Sequence, residues 1–429
     1  MLTFLIPGIG QLVNKEYKKS VIGLMYALLE FSLLKEIIIP TLSSTFVYQN
    51  SGSNAGNYTI GAVEYQDDSF LILIGAAFSL LLLAVMVMIA VGFVRDYVVV
   101  ANAKQDGIEL PSLRTRAKDL APDIIPHAVT VPYYLLMFMF LIIPAFVSIA
   151  IAFTNFENDI IPPAFLINWV GFQNFKDLIS DPIALSAFTE TLQWTIVWTV
   201  GAAMTNIVVG IFLAVITNGK RIKGKRFFRT IFILPWAIPG FLTILVFQIF
   251  FSKVGAMNTF VIPLFTGQEY NVANAIGFLM DPQLARKTIL FVQAWLGFPY
   301  IYLLVTGILQ AIPSDLYEAA NIDGGNPWTN FWDITFPAIF MAASPIFIMQ
   351  FASQFNNVTI FYLLGSSVVK PVGATYSPIE TISSLGYQLT LDGKFATAAV
   401  YTLITSIVVS SLLLFFWIKT GAFKNEEVY

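Results

Sequence analysis

The sequence predicts an all-α integral membrane protein with eight transmembrane helices, and three observations carry that prediction. Its residues are 57% hydrophobic and only 11% charged, with a mean hydropathy of +0.75, outside the range of water-soluble domains. The apolar residues fall into long runs, each near the ~20 residues that a helix rising about 1.5 Å per residue needs to cross ~30 Å of hydrocarbon. These runs do not show the roughly ten-residue alternating segments of a membrane barrel, so helices, which satisfy their own backbone groups, are the expected spanning elements.

Taken in order, the runs lie near residues 20–40, 70–94, 130–153, 190–217, 228–252, 288–310, 338–360 and 396–418. The first is interrupted by Glu30, Lys35 and Glu36. The residues before it resemble a secretory leader, but Lys15, Lys18 and Lys19 lead into a long apolar run with no small-residue cleavage site, so a retained anchor is expected. With the N-terminus inside, the inner segments hold 3, 5, 6, 0 and 2 Lys and Arg, against 0, 1, 3 and 2 outside. Because positive residues near span ends stay cytoplasmic, both termini are predicted to be cytoplasmic, in a plasma membrane. The outer segment 41–69 is polar and carries an Asn57-Tyr58-Thr59 sequon; the longest, 154–189, is too short for an inserted domain.

Composition also excludes function classes. A net charge of -3 gives no nucleic-acid footprint. The absence of cysteine removes thiolate metal sites and thiol nucleophiles, and His127 is the sole histidine, so histidine metal clusters and a Ser/His/Asp triad are not expected. The stretch GKRIKGKR, Gly219 to Arg226, nearly matches a phosphate-binding loop, but Arg226 stands where a magnesium-binding hydroxyl is required and no strand is expected before it. It reads as a topology-setting basic loop that can touch anionic lipid. No paired carboxylates occur within a span, so neither ATP nor a proton gradient has an evident engine in this chain.

The inner segment 311–337 is the one that lacks positive charge, and it reads as two short helices. Ser314 can cap the first, with Asp315 and Glu318 in its opening turn; Gly324 and Gly325 can end it in the left-handed conformation; Asn326 and Pro327 can restart a helix as N-cap and first residue. Leu316, Ala319, Ala320 and Asp323 then share one face. In the sixth span Gln293, Leu296, Gly297 and Tyr300 lie on one stripe, where glycine opens room and the glutamine and tyrosine supply an amide and a flat ring with a hydroxyl. In the seventh, Ser353, Gln354 and Asn357 cluster. Neutral amides and hydroxyls beside aromatics suit an uncharged, hydroxyl-rich solute. The same residues can equally bridge helices, at an average of about 0.6 kcal/mol per hydrogen bond.

The run Glu318, Ala319, Ala320, three residues, Gly324, then Ile334 and Pro337 resembles the EAA loop of bacterial binding-protein-dependent ABC importers. With LPWAIPG, AWLGFPYIYLLVTGILQAIPSDLYEAA, FNNVTIFYLL and the terminal KTGAFK, residues 125–425 resemble the maltose-type (MalF-type) permease subunits. One departure is Gly325, where that family commonly has alanine. The resemblance implies a type I importer (MetI-like) permease core of six helices over 126–429, following an N-terminal region, 1–125, of two helices and a cytoplasmic linker. It implies that Glu318, Ala319, Ala320, Asp323 and Gly324 dock on a cytoplasmic ATPase, and that Trp236, Gly240, Gln293, Leu296, Gly297, Tyr300, Ser353, Gln354 and Asn357 contact a sugar. Leu296, Gly297, Tyr300 and Asn357 match the family directly, whereas Trp236, Gly240, Gln293, Ser353 and Gln354 are substitutions; Ser353 for a phenylalanine would widen the cavity.

By the same resemblance the partners are a second permease subunit, two ATPase subunits that bind ATP and magnesium, and an extracellular solute-binding lipoprotein. No cofactor or metal is expected in this chain, which would carry an oligosaccharide of the maltodextrin class without covalent chemistry of its own. The enteric maltose subunit has a large extracytoplasmic domain after its third span; the short segment 154–189 instead fits Gram-positive relatives. The competing class is a secondary carrier or channel acting without an ATPase. It would favour intramembrane acids, inverted repeats or a selectivity motif, none of which is visible by eye.

Overall fold

The computed structural model describes residues 2–47, 57–60, 63–66, 69–107, 129–130, 132–159, 167–219, 222–370 and 376–420. His127, the expected boundary near 125 and the end of KTGAFK lie outside the described residues. The described chain is helical apart from one small antiparallel hairpin, β1 (Asn57–Ile60) with β2 (Val63–Gln66), paired Asn57 to Gln66 and Ile60 to Val63. That hairpin falls in the polar segment after the first apolar run, and the all-helical class expected from the sequence holds.

The fold divides into two compact units: Met1–Phe175 with Gly393–Ala399, and Lys176–Asp392 with Val400–Tyr429. In the first, α1 (Tyr17–Leu33) continues without interruption through a π turn, Leu34–Ile38, into a further helix, Ile39–Val47. It is followed by α2 (Ser69–Gln105) and α3 (Pro132–Ile151). Short helices Leu2–Leu5 and Ile9–Val13 precede α1, and Gln11 and Asn14 tie them to α2: their amides donate to the carbonyls of Phe93 (2.8 Å) and Tyr97 (3.1 Å). Ala77, Ile143 and Val147 form a small apolar cluster between α2 and α3.

The second unit is built on α4 (Pro182–Asn218), α5 (Lys225–Ala237), α6 (Gly240–Phe250), α7 (Pro282–Ala311), α8 (Ser314–Ile322), α9 (Phe336–Phe355), α10 (Ile382–Leu391) and the greater part of α11 (Phe395–Thr420). Two of these start on the same local device. Asp181 and Asp281 are N-caps whose carboxylates accept from Ile183 N (2.9 Å) and Leu284 N (2.8 Å), and Pro182 and Pro282 occupy the first helical position, where no amide hydrogen is missed. The core lies between α4 and α7. Trp194, Trp198, Ile289, Val292 and Phe361 form one cluster, and Ile207, Ala214, Ile301, Tyr302, Val305, Ile339 and Ala343 form a second. At Gly210 a Cβ would stand 2.6 Å from Ile301 Cβ, so glycine there lets the two helices cross closely.

Six helical segments among the described residues are long and apolar enough to cross a membrane, and a seventh results if α5 and α6 count as one span. Eight are not reached: the first expected run is helical but carries Glu30, Lys35 and Glu36 and falls outside that set. The fifth expected span, 228–252, is not one straight helix. It bends by 90° between Ala237 and Gly240, because Pro239 pushes the preceding residue out of the helical region and Ile238 is extended (φ -100°, ψ 132°).

The segment before α10 is stitched to the spans around it. Arg286 Nε donates to Pro378 O (2.9 Å), Trp194 Nε1 to Ile379 O (2.7 Å), Ile382 N to Thr195 Oγ1 (2.9 Å) and Ser383 Oγ to Phe355 O (2.9 Å). Within this segment Glu380 is buried, and its carboxylate accepts from Ser384 Oγ.

Candidate solute path and coupling loop

All nine expected solute residues fall in the second unit, and the structure joins four of them in two pairs. The break after α5 leaves Trp236 on one limb and Gly240 as the first residue of the other, with nothing packed where a Gly240 side chain would point. A discontinuous helix exposes backbone groups that must be satisfied by protein or by a water-filled cavity, which is why such breaks line transport paths. Trp236, 53% exposed, packs its ring on that of Tyr300, 36% exposed, with centroids 5.6 Å apart and planes tilted by 38°. Both rings keep part of their surface exposed there.

The second pair is polar. Asn357 lies in the break between α9 and the short helix Thr359–Gly365, and its Nδ2 donates to Gln293 Oε1 at 3.1 Å. Gln293 is two helical turns before Tyr300 on α7, about 10 Å along the axis. The bond joins α7 to the end of α9, the helix bridge that the sequence left open as one of two readings.

The remaining expected residues are placed differently. Leu296 packs against the core cluster around Trp198. Gln354 is buried: its backbone carbonyl accepts from Trp198 Nε1 (2.9 Å), its Nε2 donates to Gln350 Oε1 (3.4 Å), and its Oε1 has no partner among the described residues. Ser353 is exposed, and its hydroxyl joins no hydrogen bond among the described residues. Gly297 does not open free room. A Cβ there would lie 2.1 Å from Asn206 Nδ2, so a side chain from α4 already fills the space. Asn206 was legible only as a lone amide inside an apolar run.

The charge-free segment folds into a tightly capped pair of helices. The first, α8, has Pro313 rather than Ser314 as its N-cap; Ser314 is the first helical residue, and its hydroxyl donates to Asp315 Oδ1 (3.2 Å). It ends on Gly324, left-handed at φ +85°, with Gly325 N donating to Ala320 O (2.8 Å) and Gly324 N to Asn321 O (3.2 Å). This is a Schellman termination. Gly325 itself is not left-handed; a Cβ there would come within 2.7 Å of Ala320 O. Asn326 and Thr329 form a reciprocal capping box on the next helix, Pro327–Asn330, with Pro327 at its start. Asn330 Nδ2 to Asn321 Oδ1 (3.1 Å) and Tyr317 OH with Thr335 Oγ1 (2.9 Å) lock the two helices together.

On this rod Glu318, Ala319, Asp323 and Gly324 are exposed and Ala320 is half-buried. Ile322 is 86% exposed and Trp328 69% exposed, so the rod presents apolar side chains that sequence reasoning did not single out. In GKRIKGKR, Lys220 and Arg221 lie outside the described residues; helix α4 precedes the stretch, and Gly224 and Arg226 serve the start of α5, so the strand–loop–helix context of a phosphate-binding loop is not formed. Among the described residues no group of three or more His, Cys, Asp or Glu is arranged to hold a metal ion.

The chain is 38% identical over 432 residues to the maltodextrin transport system permease protein MalC of Streptococcus pneumoniae, covering 100% of this chain and 97% of that protein. It is 35% identical to the galactooligosaccharides transport system permease protein GanP of Bacillus subtilis, covering 99% and 98%. Similarity to the maltose/maltodextrin permease MalF of Photorhabdus laumondii is partial in length, 32% identity over 59% of this chain and 49% of that one, so the full-length likeness is to the shorter permeases rather than to MalF. Among solved structures, a bacterial ABC transporter that imports alginate aligns with 72% of this chain and 99% of its own at a TM-score of 0.57 and 20% identity, a likeness of fold. Residues 206–419, from Asn206 through α11, match the family of binding-protein-dependent transport system inner membrane components. The chain therefore belongs to that family, as a multi-pass transport permease.

Proposed function

We propose that this chain is the permease subunit of an ABC importer that passes a maltodextrin-class oligosaccharide through a path lined by Trp236, Gly240, Gln293, Leu296, Gly297, Tyr300, Ser353, Gln354 and Asn357. The observation that carries the reading is the broken span: its 90° bend sets Trp236 against Tyr300, half-exposed, on the helix that also carries the Gln293–Asn357 amide pair. Sugar rings offer apolar faces for stacking and hydroxyls that need donors and acceptors together, and this path holds rings and neutral amides with no ion among them. The maltodextrin permease named above supports the substrate class; the galactooligosaccharide permease, almost as similar, makes that sugar the second reading.

Energy would enter through the rod formed by α8 and the helix after it, where Glu318, Ala319, Ala320, Asp323 and Gly324 dock on an ATPase subunit. A doubly capped helix pair transmits a rigid-body rotation that a flexible connector would absorb. The assembly comprises a second permease subunit, two ATPase subunits that hold ATP and magnesium, and an extracellular solute-binding lipoprotein; this chain holds no cofactor. Both termini are cytoplasmic, the cell is Gram-positive, and the basic segment 219–229 sits against anionic lipid.

The test is ATP-driven uptake of labelled maltotriose by the complete complex in proteoliposomes. Tyr300→Ala and Asn357→Ala each lower uptake at least several-fold, and galactotriose competes weakly. Full uptake in both variants removes the solute path; robust flux through this chain alone without ATP restores the carrier reading.

A further inference from the structure

In the first unit, the helix Ile39–Val47 with the π turn before it, α2 and α3 leave a groove between them. Prolines shape two of its walls. A proline has no amide hydrogen for the carbonyl four residues back, and its ring crowds that carbonyl, so a helix that keeps one in its interior must open locally. The π turn Leu34–Ile38 ends two residues before Pro40, and the π turn Phe138–Ile142 ends two residues before Pro144 of α3. On α2, a Cβ at Gly75 would stand 3.0 Å from Thr41 Cγ2, so glycine lets the two helices touch at the floor of the groove.

The groove encloses about 580 Å³ and follows α2 from Leu71 to Val85. That length of helix rises ~21 Å, more than the ~15 Å of hydrocarbon in one leaflet. Leu71 stands at the start of the apolar span that begins at Phe70, so the groove enters from one membrane face and passes mid-depth. Spread over that length, its volume leaves a free cross-section of roughly 28 Å². An α-helix with its side chains is ~10–12 Å across, on the order of 80–110 Å², and does not fit.

The lining carries no charge: Lys35 and Glu36, ion-paired at 3.5 Å, are not part of it. Nor do its hydroxyls invite a polar guest. Thr41 Oγ1 donates to Ile37 O (2.7 Å) and Ser44 Oγ to Thr41 O (2.7 Å), each turned back onto its own helix. Leu71, Phe78 and Leu135 are exposed along the rim, so the groove opens at the surface of the unit.

We propose that this groove binds the hydrocarbon tail of a membrane phospholipid, entering from the leaflet at the Ser69 end of α2. The occupant must be narrow, flexible, uncharged to match an uncharged lining, and about one leaflet long. In a chain that crosses the membrane several times, a lipid tail meets all four conditions and is present at that depth. Seated there, it supplies the packing contacts that the opened turns withhold and joins the helix Ile39–Val47 to α2 and α3. The solute path plays no part in this inference.

The experiment places the complete complex in phosphatidylglycerol vesicles that hold a trace of phosphatidylglycerol with a diazirine midway along one tail. Samples are irradiated before and after a detergent exchange that strips loosely held lipid, and labelled residues are mapped by peptide mass spectrometry. Residues 37–44 and 71–85 keep most of their label through the exchange, whereas Leu28, on the exposed face of α1, loses its label several-fold. Leu82→Trp and Ile37→Trp fill the groove from opposite walls, and each lowers the retained label several-fold; if one fails to assemble, the other decides. Loss of groove label in step with Leu28, or full retained label in an assembled tryptophan variant, overturns the inference. Groove label that is absent in the complete complex but present in this chain alone also overturns it, assigning the groove to a neighbouring subunit. Tyr300→Ala keeps its groove label whatever its uptake, so failure here and failure of the solute path are read separately.

Discussion

Replacing Gly325 by alanine pits the family habit against this chain's own geometry. Alanine is common at that position in the EAA loop and is free of left-handed strain here, so a local reading makes Gly325→Ala harmless. The structure says otherwise. The added Cβ would lie 2.7 Å from Ala320 O and 2.9 Å from Asn330 Oδ1, several tenths of an ångström inside ordinary contact. Neither neighbour is free to yield. Ala320 O accepts the Gly325 N–H that closes α8 (2.8 Å), and the Asn330 amide is held by Asn321 Oδ1 (3.1 Å). Relief therefore sacrifices both bonds, each contributing about 1 kcal/mol net. About 2 kcal/mol corresponds to roughly a thirtyfold shift toward the opened loop. Hydrogen exchange on the purified complex reads this directly: amides of residues 320–330 lose about that factor of protection while α7 and α9 keep theirs. Uptake of maltotriose falls in proportion to the loosening of the rod. Unchanged protection together with unchanged uptake would refute the claim that a locked Schellman turn, rather than helix content alone, makes this loop rigid.

Three further outcomes follow from particular contacts. Asn357→Ala strands Gln293 Oε1 in a buried setting and lowers stability by about 1–3 kcal/mol; adding Gln293→Leu restores the unfolding midpoint but not uptake, and recovery of both would make the pair purely structural. Burial raises the Glu380 carboxyl above its ordinary value, opposed in part by the Ser384 hydrogen bond and by Lys370. Because the folded state then binds the proton more tightly than the unfolded one, this group costs stability as pH rises above the ordinary carboxylate range. Glu380→Gln should raise the unfolding midpoint at neutral pH, with the gain vanishing below about pH 4; a gain that persists in acid argues against the sign. Ser353→Phe restores the bulk common in the family and narrows the range of chain lengths imported; equal uptake of long and short maltodextrins in variant and parent would dissociate Ser353 from length selection.

Much of the architecture is written locally. Apolar runs announce helices because only a helix satisfies its own backbone groups in lipid, and Asp181–Pro182 and Asp281–Pro282 announce where two of them start. The capped rod was legible almost residue by residue, since Gly324, Asn326 and Pro327 act within three or four positions of themselves; Ser314 is not the cap because it is already the first helical residue, with Pro313 as N-cap. The bend at Pro239 carried its signal in the Ile238–Pro239 pair, but hydropathy averages over ~20 residues and smooths a break of two.

The sequence by itself determined that this chain crosses a membrane several times, that it offers neutral amides and rings rather than ions, and that a capped, charge-free rod interrupts its apolar runs. Those properties depend on composition and on neighbours a few residues away. Only the tertiary structure decided which distant residues meet: Trp236 with Tyr300, Asn357 with Gln293, and Asn206 in the place that Gly297 leaves empty. Such meetings depend on how α4, α5, α7 and α9 cross, and a crossing is set by side-chain volumes on two helices at once, which no single stretch of chain encodes.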